Sequence, residues 1–343
     1  MVKAFISGCA GPELTAEERA FFADEQPFGL ILFKRNCVEP AQVRDLTAAF
    51  RQATGRADAP VLIDQEGGRV RRLEPPNWPS YPPARALGLI AEADIEQGRR
   101  AAWLHGRLIA ADLADCGIDV DCAPVLDVGA PAMSDAIGDR AFGGDPHVVT
   151  TLGRALADGL LAGGVVPVMK HMPGHGRATA DSHKVLPRID ADLQTLSETD
   201  FAPFVALADL PMAMTAHVIL SAVDAERAAT VSPTVIRDII RNRIGFDGLL
   251  MSDDISMHAL SGDYSSRAQS IYDAGCDLVL HCNGRTEEMR KIGGAAPALG
   301  GKTRERAKRA LGFRKVPAPL DIAAAREEYL SLLARAGWRE RVA

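Results

Sequence analysis

No stretch of the 343 residues supplies the roughly 20 consecutive apolar residues that a membrane-spanning helix requires, which excludes a helical membrane protein. No lysine- or arginine-rich block occurs and the net charge is −6, so nothing marks a nucleic-acid surface. None of the six cysteines forms a CxxC pair, which removes zinc-ribbon and thioredoxin-like readings. Four of the six lie in or beside apolar runs and read as reduced, buried thiols of a cytoplasmic protein. Ile6-Ser7-Gly8-Cys9 has the look of a lipoprotein cleavage site, but only Ala4-Phe5-Ile6 follow Lys3 before it. A secretory signal needs an apolar core of about 7–15 residues, so this segment is expected to be the first strand. There is no repeat of solenoid period, no low-complexity tract and no long linker.

What is present is an ordinary soluble composition, 47% hydrophobic and 24% charged, in which short apolar runs alternate with amphipathic ones. Eight runs read as strands: Ala4–Cys9, Gly29–Phe33, Val61–Asp64, Val120–Val125, Val165–Lys170, Met212–Ala216, Leu249–Ser252 and Asp277–His281. Helical spacing lies between them, as in Ile95–Cys116, Val148–Leu161 and Thr234–Arg243. Thr15 and Glu18 form a capping-box pattern, Ser232-Pro233 a helix start, and Gly117 and Gly245 helix stops. The proline-rich stretch Glu74 to Arg85 is expected to be an ordered surface loop. Eight strand–helix units predict an α/β fold, a single-domain (β/α)8 barrel of the TIM type over residues 1–300. Residues 301–343 are expected to be C-terminal helices packed on that barrel, since about 60 residues after the eighth strand leave no room for a second domain.

Polar and ionisable residues follow seven of the eight runs: Lys34-Arg35-Asn36, Asp64-Gln65-Glu66, Asp127, Lys170-His171, His217, Asp253-Asp254 and Asn283. In a closed barrel these ends share one mouth, where barrel enzymes carry out their chemistry. The densest cluster is Lys170 to His183, KHMPGHGRATADSH, with three histidines, a lysine and an aspartate in fourteen residues. Asp181, two residues before His183, can orient that ring and raise its basicity; such a dyad can protonate a leaving oxygen and then accept a proton from water. An Asx-turn beside a surface histidine would show the same triplet. Of the adjacent Asp253 and Asp254, side-chain alternation turns one into the mouth. Asp253 is expected to point inward, to attack an anomeric carbon or stabilise positive charge, with Asp254 as its supporting or capping neighbour.

Asp64 and Arg72 are placed to hydrogen-bond sugar hydroxyls, whereas Arg69 is expected to form a structural salt bridge. The two glycines of QEGGRV lack P-loop spacing. Lys170 leaves two readings open: a Schiff-base lysine of a barrel lyase or aldolase, or a hydrogen-bond donor to sugar alongside His171. His171, His175 and His183 sit on a glycine-broken segment without HExxH or HxH spacing, so no metal and no other cofactor is expected.

Together, IDQEGGRV, CAPVLDV, KHMPGHGRATADSH and MSDDISM, in this order, resemble glycoside hydrolase family 3 over about Phe28 to Asn283. The resemblance is to its bacterial single-domain members, which remove terminal N-acetylglucosamine from peptidoglycan fragments. It implies Asp253 as nucleophile, His183 with Asp181 as acid/base, and Asp64, Arg72, Arg140, Lys170 and His171 as sugar-binding residues. It also implies a retaining exo-β-N-acetylglucosaminidase working through a covalent glycosyl-enzyme, with a small carbohydrate or muropeptide as its partner and a monomer as the expected state. A glycosyl phosphorylase would use the same residues, because a histidine acid/base repels phosphate less than a carboxylate does. The chain departs from the family pattern at Met172, where an aromatic is common, and is unmatched after Gly300.

Overall fold

The computed structural model describes residues 1–131, 133–180, 186–257, 259–335 and 337–338. Its strands are β1 (Lys3–Ser7), β2 (Pro27–Leu32), β3 (Val61–Ile63), β4 (Val120–Asp121), β5 (Val166–Met172), β6 (Arg188–Ile189), β7 (Met212–Thr215), β8 (Ile219–Leu220), β9 (Leu249–Asp254) and β10 (Leu278–His281). Eight of them close a parallel barrel in the order β1-β2-β3-β4-β5-β7-β9-β10, and β10 returns to β1 through Phe5 opposite Val279. Every expected strand is one of these eight. The remaining two, β6 and β8, lie in the segments that follow β5 and β7, and they pair with each other outside the barrel.

Period-two burial explains the closure. Ile6, Ile31, Leu62, Val168, Met214, Met251 and Leu280 fill the barrel interior. Their neighbours Phe5, Leu30, Ile63, Met169, Ala213, Leu250 and Val279 join the apolar layer beneath the helices. Strands buried on both faces read as continuous apolar runs, which is why they are visible in the sequence.

The helices are α1 (Ala16–Glu25), α2 (Pro40–Thr54), α3 (Ala84–Ala93), α4 (Ile95–Asp115), α5 (Pro146–Ala162), α6 (Leu193–Glu198), α7 (Ala202–Ala206), α8 (Tyr264–Ala274), α9 (Thr286–Ala295), α10 (Gly301–Leu311) and α11 (Ile322–Arg335). The Thr15 capping box forms: Thr15 Oγ1 accepts from the Glu18 amide at 3.1 Å, and Glu18 accepts in turn from the Thr15 amide at 2.8 Å. Ser232 Oγ accepts from the Val235 amide at 3.1 Å, and the helix it caps widens into a π-helix over Val235–Arg243. Ala307 and Ala310 of α10 enter the apolar cluster of the barrel interior, and α11 packs on α3 and α4.

Three expectations shift. β4 is regular only over Val120–Asp121, because Pro124 has no amide to continue the ladder, and parallel pairing resumes at a bridge between Val125 and Lys170. β5 and β9 run further than expected, so His171 and Asp253 stand on strands rather than loops. The segment from Glu74 to Arg85 is ordered and lies largely at the surface, but its two aromatics do not. Trp78 and Tyr81 turn inward and join the core, because the aromatic area they bury outweighs the cost of ordering the loop.

The long helices α4 and α5 cross at glycines. A Cβ on Gly106 would lie 2.2 Å from the Leu156 carbonyl oxygen, and one on Gly159 would lie 2.2 Å from that of Trp103. Gly106→Ala gains about 1 kcal/mol of helix propensity but forces two backbones apart, which costs more. We expect a net loss of about 2 kcal/mol, read as a lower urea midpoint with an unchanged slope; equal or greater stability would refute this packing.

Beneath the mouth, Asp121 is completely buried. Its Oδ1 accepts from the Gln65 amide at 2.9 Å, while Oδ2 has no hydrogen-bond partner among the described residues. Burial raises its pKa well above the carboxylate range, against a smaller lowering by that amide. Between the ordinary and the raised value, the folded state holds a proton that the unfolded state has released, so stability falls as pH rises through that window. A neutral amide at this position would be exempt. Asp121→Asn should therefore raise Tm at pH 7, and the gain should vanish below about pH 4. A gain that persists in acid, or a loss at neutral pH, would contradict the assignment.

Candidate active site

Parallel strands deliver their C-terminal residues to one end of the barrel, and a pocket of about 240 Å³ opens there. Its lining includes Asp64 from the end of β3, Arg72 from the segment after it, Arg140 from the turn Gly138–Arg140, Lys170 and His171 from β5, and Asp253 from β9. Residues as distant in sequence as Asp64 and Asp253 thus meet across the mouth. Asp181 and His183 lie outside the described residues.

A buried ion network organises one side. Lys170 Nζ donates to Asp64 Oδ1 at 2.8 Å and lies 2.6 Å from Glu66 Oε1. Arg72 Nη2 donates to the second Asp64 oxygen at 3.0 Å. Arg140 grips Glu66 with two bonds of 2.8 Å, from Nε and Nη2. Each carboxylate therefore binds two different cations. Burial alone would raise the Asp64 and Glu66 pKa values, but Lys170, Arg72 and Arg140 outweigh it. Asp64 falls well below the usual carboxylate range and Glu66 falls to about 2. The same pairing holds Lys170 well above the usual lysine value despite its complete burial. A lysine in that state has no free amine lone pair at neutral pH, which removes the Schiff-base reading.

His171 is fixed by two contacts. Asp127 Oδ2 lies 2.7 Å from Nδ1, and Arg140 Nη2 lies 3.4 Å from Nε2. The guanidinium can only donate, so Nε2 accepts and Nδ1 carries the proton that Asp127 receives. Asp127 also accepts from the amides of His175 (2.7 Å) and His171 (3.3 Å). Burial would raise the Asp127 pKa, yet the His171 contact holds it low. The His175 ring is buried, neither of its nitrogens has a hydrogen-bond partner among the described residues, and burial lowers its pKa to about 4. Asp127 thus fixes the orientation of the His171 ring, which lines the pocket.

On the opposite side, Asp254 is occupied by its own backbone surroundings. Its Oδ1 accepts from the Ser256 amide at 3.0 Å and the Cys282 amide at 3.2 Å, and its Oδ2 accepts from Ser256 Oγ. It also donates its amide to Asp253 Oδ1 at 2.8 Å, and its carbonyl accepts from His217 Nε2 at 3.0 Å. Asp254 thus holds the end of β9 in place and orients its neighbour, and both aspartates line the pocket. Arg72 lies over the Phe33 ring at 5.0 Å, which steadies its guanidinium on a second side. Arg69 pairs instead with Asp139 at 3.2 Å and with the carbonyls of Ala136 and Ile137, in the structural role expected of it.

Sequence reasoning placed Glu66 and Asp127 at strand ends but gave neither a role. The available signal was close to the one that marked Asp64: an acidic residue within three positions of the end of an apolar run. Their partners lie 74 and 44 residues away, so only folding shows that they carry the cations and the imidazole.

The sequence and the fold have counterparts among known proteins. Residues 2–308 match the glycosyl hydrolase family 3 N-terminal domain. A protein named beta-hexosaminidase from Methylococcus capsulatus is 42% identical over 278 residues, 80% of each chain. One of the same name from Chromobacterium violaceum is 39% identical over 326 residues, 92% of this chain and 90% of that one. The crystal structure of NagZ from Neisseria gonorrhoeae, in complex with N-trifluoroacetyl-D-glucosamine, superposes with a TM-score of 0.85 at 31% identity, covering 98% of this chain and 97% of that one. The family match over most of the chain, the identity to these relatives and the shared barrel establish that the chain belongs to glycosyl hydrolase family 3 and is a glycoside hydrolase.

Proposed function

We propose that the protein is a retaining exo-β-N-acetylglucosaminidase that removes terminal, non-reducing β-linked N-acetylglucosamine from peptidoglycan fragments in the cytoplasm, acting as a monomer. The observation that carries this is the pocket itself: Asp253 on one wall faces Asp64, Arg72, Arg140, Lys170 and His171 on the others. The charged hydrogen-bonding groups suit sugar hydroxyls, and the small volume suits one terminal sugar unit rather than a chain. The beta-hexosaminidase name of the relatives and the N-trifluoroacetyl-D-glucosamine bound to the NagZ neighbour support the choice of sugar.

In this reading Asp253 attacks the anomeric carbon as the bond to the leaving oxygen breaks, and His183, oriented by Asp181, gives that oxygen a proton. A glycosyl ester on Asp253 results. His183 then takes a proton from water, whose oxygen attacks the same carbon and releases Asp253, so the two inversions give net retention. Lys170 and Arg72 hold Asp64 ionised, and Arg140 and Lys170 do the same for Glu66. Asp64, Arg72, Arg140 and Lys170 therefore meet the sugar without rearranging their charges, with Glu66 behind them, and preorganisation of this kind costs little at the transition state.

Two experiments test this. A fluorosugar mechanism-based label of the N-acetylglucosamine series should modify Asp253, as read by mass spectrometry of the digested protein. His183→Ala should slow turnover of an alkyl or sugar leaving group by roughly 10²- to 10⁴-fold and affect an activated aryl leaving group less. A label on Asp254, or near-full activity of His183→Ala on a disaccharide, would sink these roles.

The pH profile supplies a further check. Glu66 (about 2) and the still lower Asp64 stay ionised throughout neutral and mildly acidic conditions. Their depressed pKa values contribute stability above the ordinary carboxylate range, and it is lost only as pH falls through the folded values. An acid limb in kcat/KM above about pH 4 then does not arise from Asp64 or Glu66, and in this reading it reports the catalytic pair. Glu66→Gln should lower kcat/KM roughly 10- to 100-fold through loss of a charged hydrogen bond, leaving the midpoint of that limb unmoved. A moved midpoint would assign the titration to the binding network.

A further inference from the structure

The carboxylate of Glu66 joins Arg140 to Lys170, but its backbone is held from a different direction. The Glu66 carbonyl lies 2.9 Å from His105 Nε2 on α4, and His105 Nδ1 lies 2.6 Å from the Tyr329 hydroxyl on α11. His105 is completely buried and Tyr329 is 2% exposed. A carbonyl can only accept, so Nε2 carries the ring proton. Burial lowers the imidazole pKa to about 4, so the ring is neutral and Nδ1 is a lone pair. The Tyr329 hydroxyl must then donate to it. The order of donation is fixed: Tyr329 to His105, and His105 to Glu66.

The surroundings leave this chain of bonds little slack. Gly67 has φ +99° and sits so close that a Cβ would lie 2.3 Å from the Pro82 carbonyl oxygen and 3.1 Å from His105 Cε1. The Gly68 amide donates to the Tyr81 carbonyl at 2.9 Å. The Tyr81 ring meets His105 edge-on at 5.4 Å, and the Tyr329 ring meets it edge-on at 5.9 Å. The turn that presents Glu66 thus rests on three buried rings, one of which comes from α11. The tight crossing of α4 and α5 at Gly106, next to His105, keeps that ring in register with the turn.

We propose that His105 and Tyr329 are positioning residues: through the Glu66 backbone, α11 sets the placement of the pocket cations Arg140 and Lys170. This rests on the reading of that pocket as the sugar-binding site. Neither residue lines the pocket. Without the phenol proton, the imidazole is free to move its own proton to Nδ1, and the Glu66 carbonyl then loses its donor.

The test is Tyr329→Phe, which keeps the ring and removes only the hydroxyl. One neutral hydrogen bond is worth about 0.5–1.5 kcal/mol, or roughly 2- to 12-fold. We expect KM for an aryl N-acetylglucosaminide to rise by that factor with kcat within about twofold, since the cations bind sugar and do not take part in bond cleavage. Amide hydrogen exchange over residues 65–70 should quicken. In an Arg140→Ala background the same substitution should raise KM by a smaller factor, because only the Glu66–Lys170 contact is left to transmit it. Unchanged KM and exchange in Tyr329→Phe, or an equal KM increase in both backgrounds, would overturn the proposal. Exchange is read without substrate, so an inactive parent protein would count against the hydrolase reading while the positioning role is still tested. If Tyr329→Phe does not fold, imidazole ¹⁵N shifts of the unaltered protein decide: His105 neutral with the proton on Nε2 supports the relay, and the Nδ1 tautomer refutes it.

Discussion

A completely buried ammonium is the constraint around which the mouth of this barrel is built. Lys170 stands near the top of β5 with 2% of its surface exposed, where an unpaired charge would be far too costly. It persists because Asp64 and Glu66 reach it from the end of β3 at 2.8 and 2.6 Å, and because Arg72 and Arg140 balance the remaining carboxylate charge. Such a network contributes little net stability, since desolvation offsets most of the attraction. What it provides is a fixed arrangement of donors and acceptors on one wall, facing the carboxylate of Asp253 on another.

The barrel makes this arrangement possible by separating two tasks. The lower layers of the interior are aliphatic, with Ala307 and Ala310 of α10 among them, and hold the strands in register. Polar residues gather at the strand ends. Because the strands are parallel, these residues rise at the same end, and residues as far apart as Asp64 and Asp253 become neighbours in one pocket. Beside and behind them stands a second tier that acts through its neighbours. Asp127 sets the tautomer of His171, Asp254 holds the end of β9, and His105 supports the turn carrying Glu66. Each fixes an orientation that the first tier could not maintain alone.

Much of this was legible in the chain. Strands buried on both faces leave continuous apolar runs, and all eight barrel strands were found from that signal alone. Acidic and basic residues abutting such runs pointed to Asp64, Lys170, His171 and Asp253, all of which line the pocket, as Asp254 does too. The motif resemblance added Arg140, which no local pattern would single out, since GDRAF reads as an ordinary turn. The misjudged pieces were those decided by packing. Tyr81 and Trp78 lie in a proline-rich stretch with no periodicity, and their burial depends on a core supplied by α4 and α11.

The sequence by itself determined the barrel, the family and several of the charged residues that line the pocket, because strand burial, strand-end polarity and motif order are all read along the chain. The tertiary structure alone decided the states of those residues. That Lys170 is a permanent cation rather than an amine nucleophile, that His171 carries its proton on Nδ1, and that Glu66 is held through His105 by Tyr329 all depend on partners 39 to 224 residues away. Charge state and tautomer are set by the groups within hydrogen-bonding distance, and in a folded chain those groups are chosen by topology rather than by sequence neighbourhood.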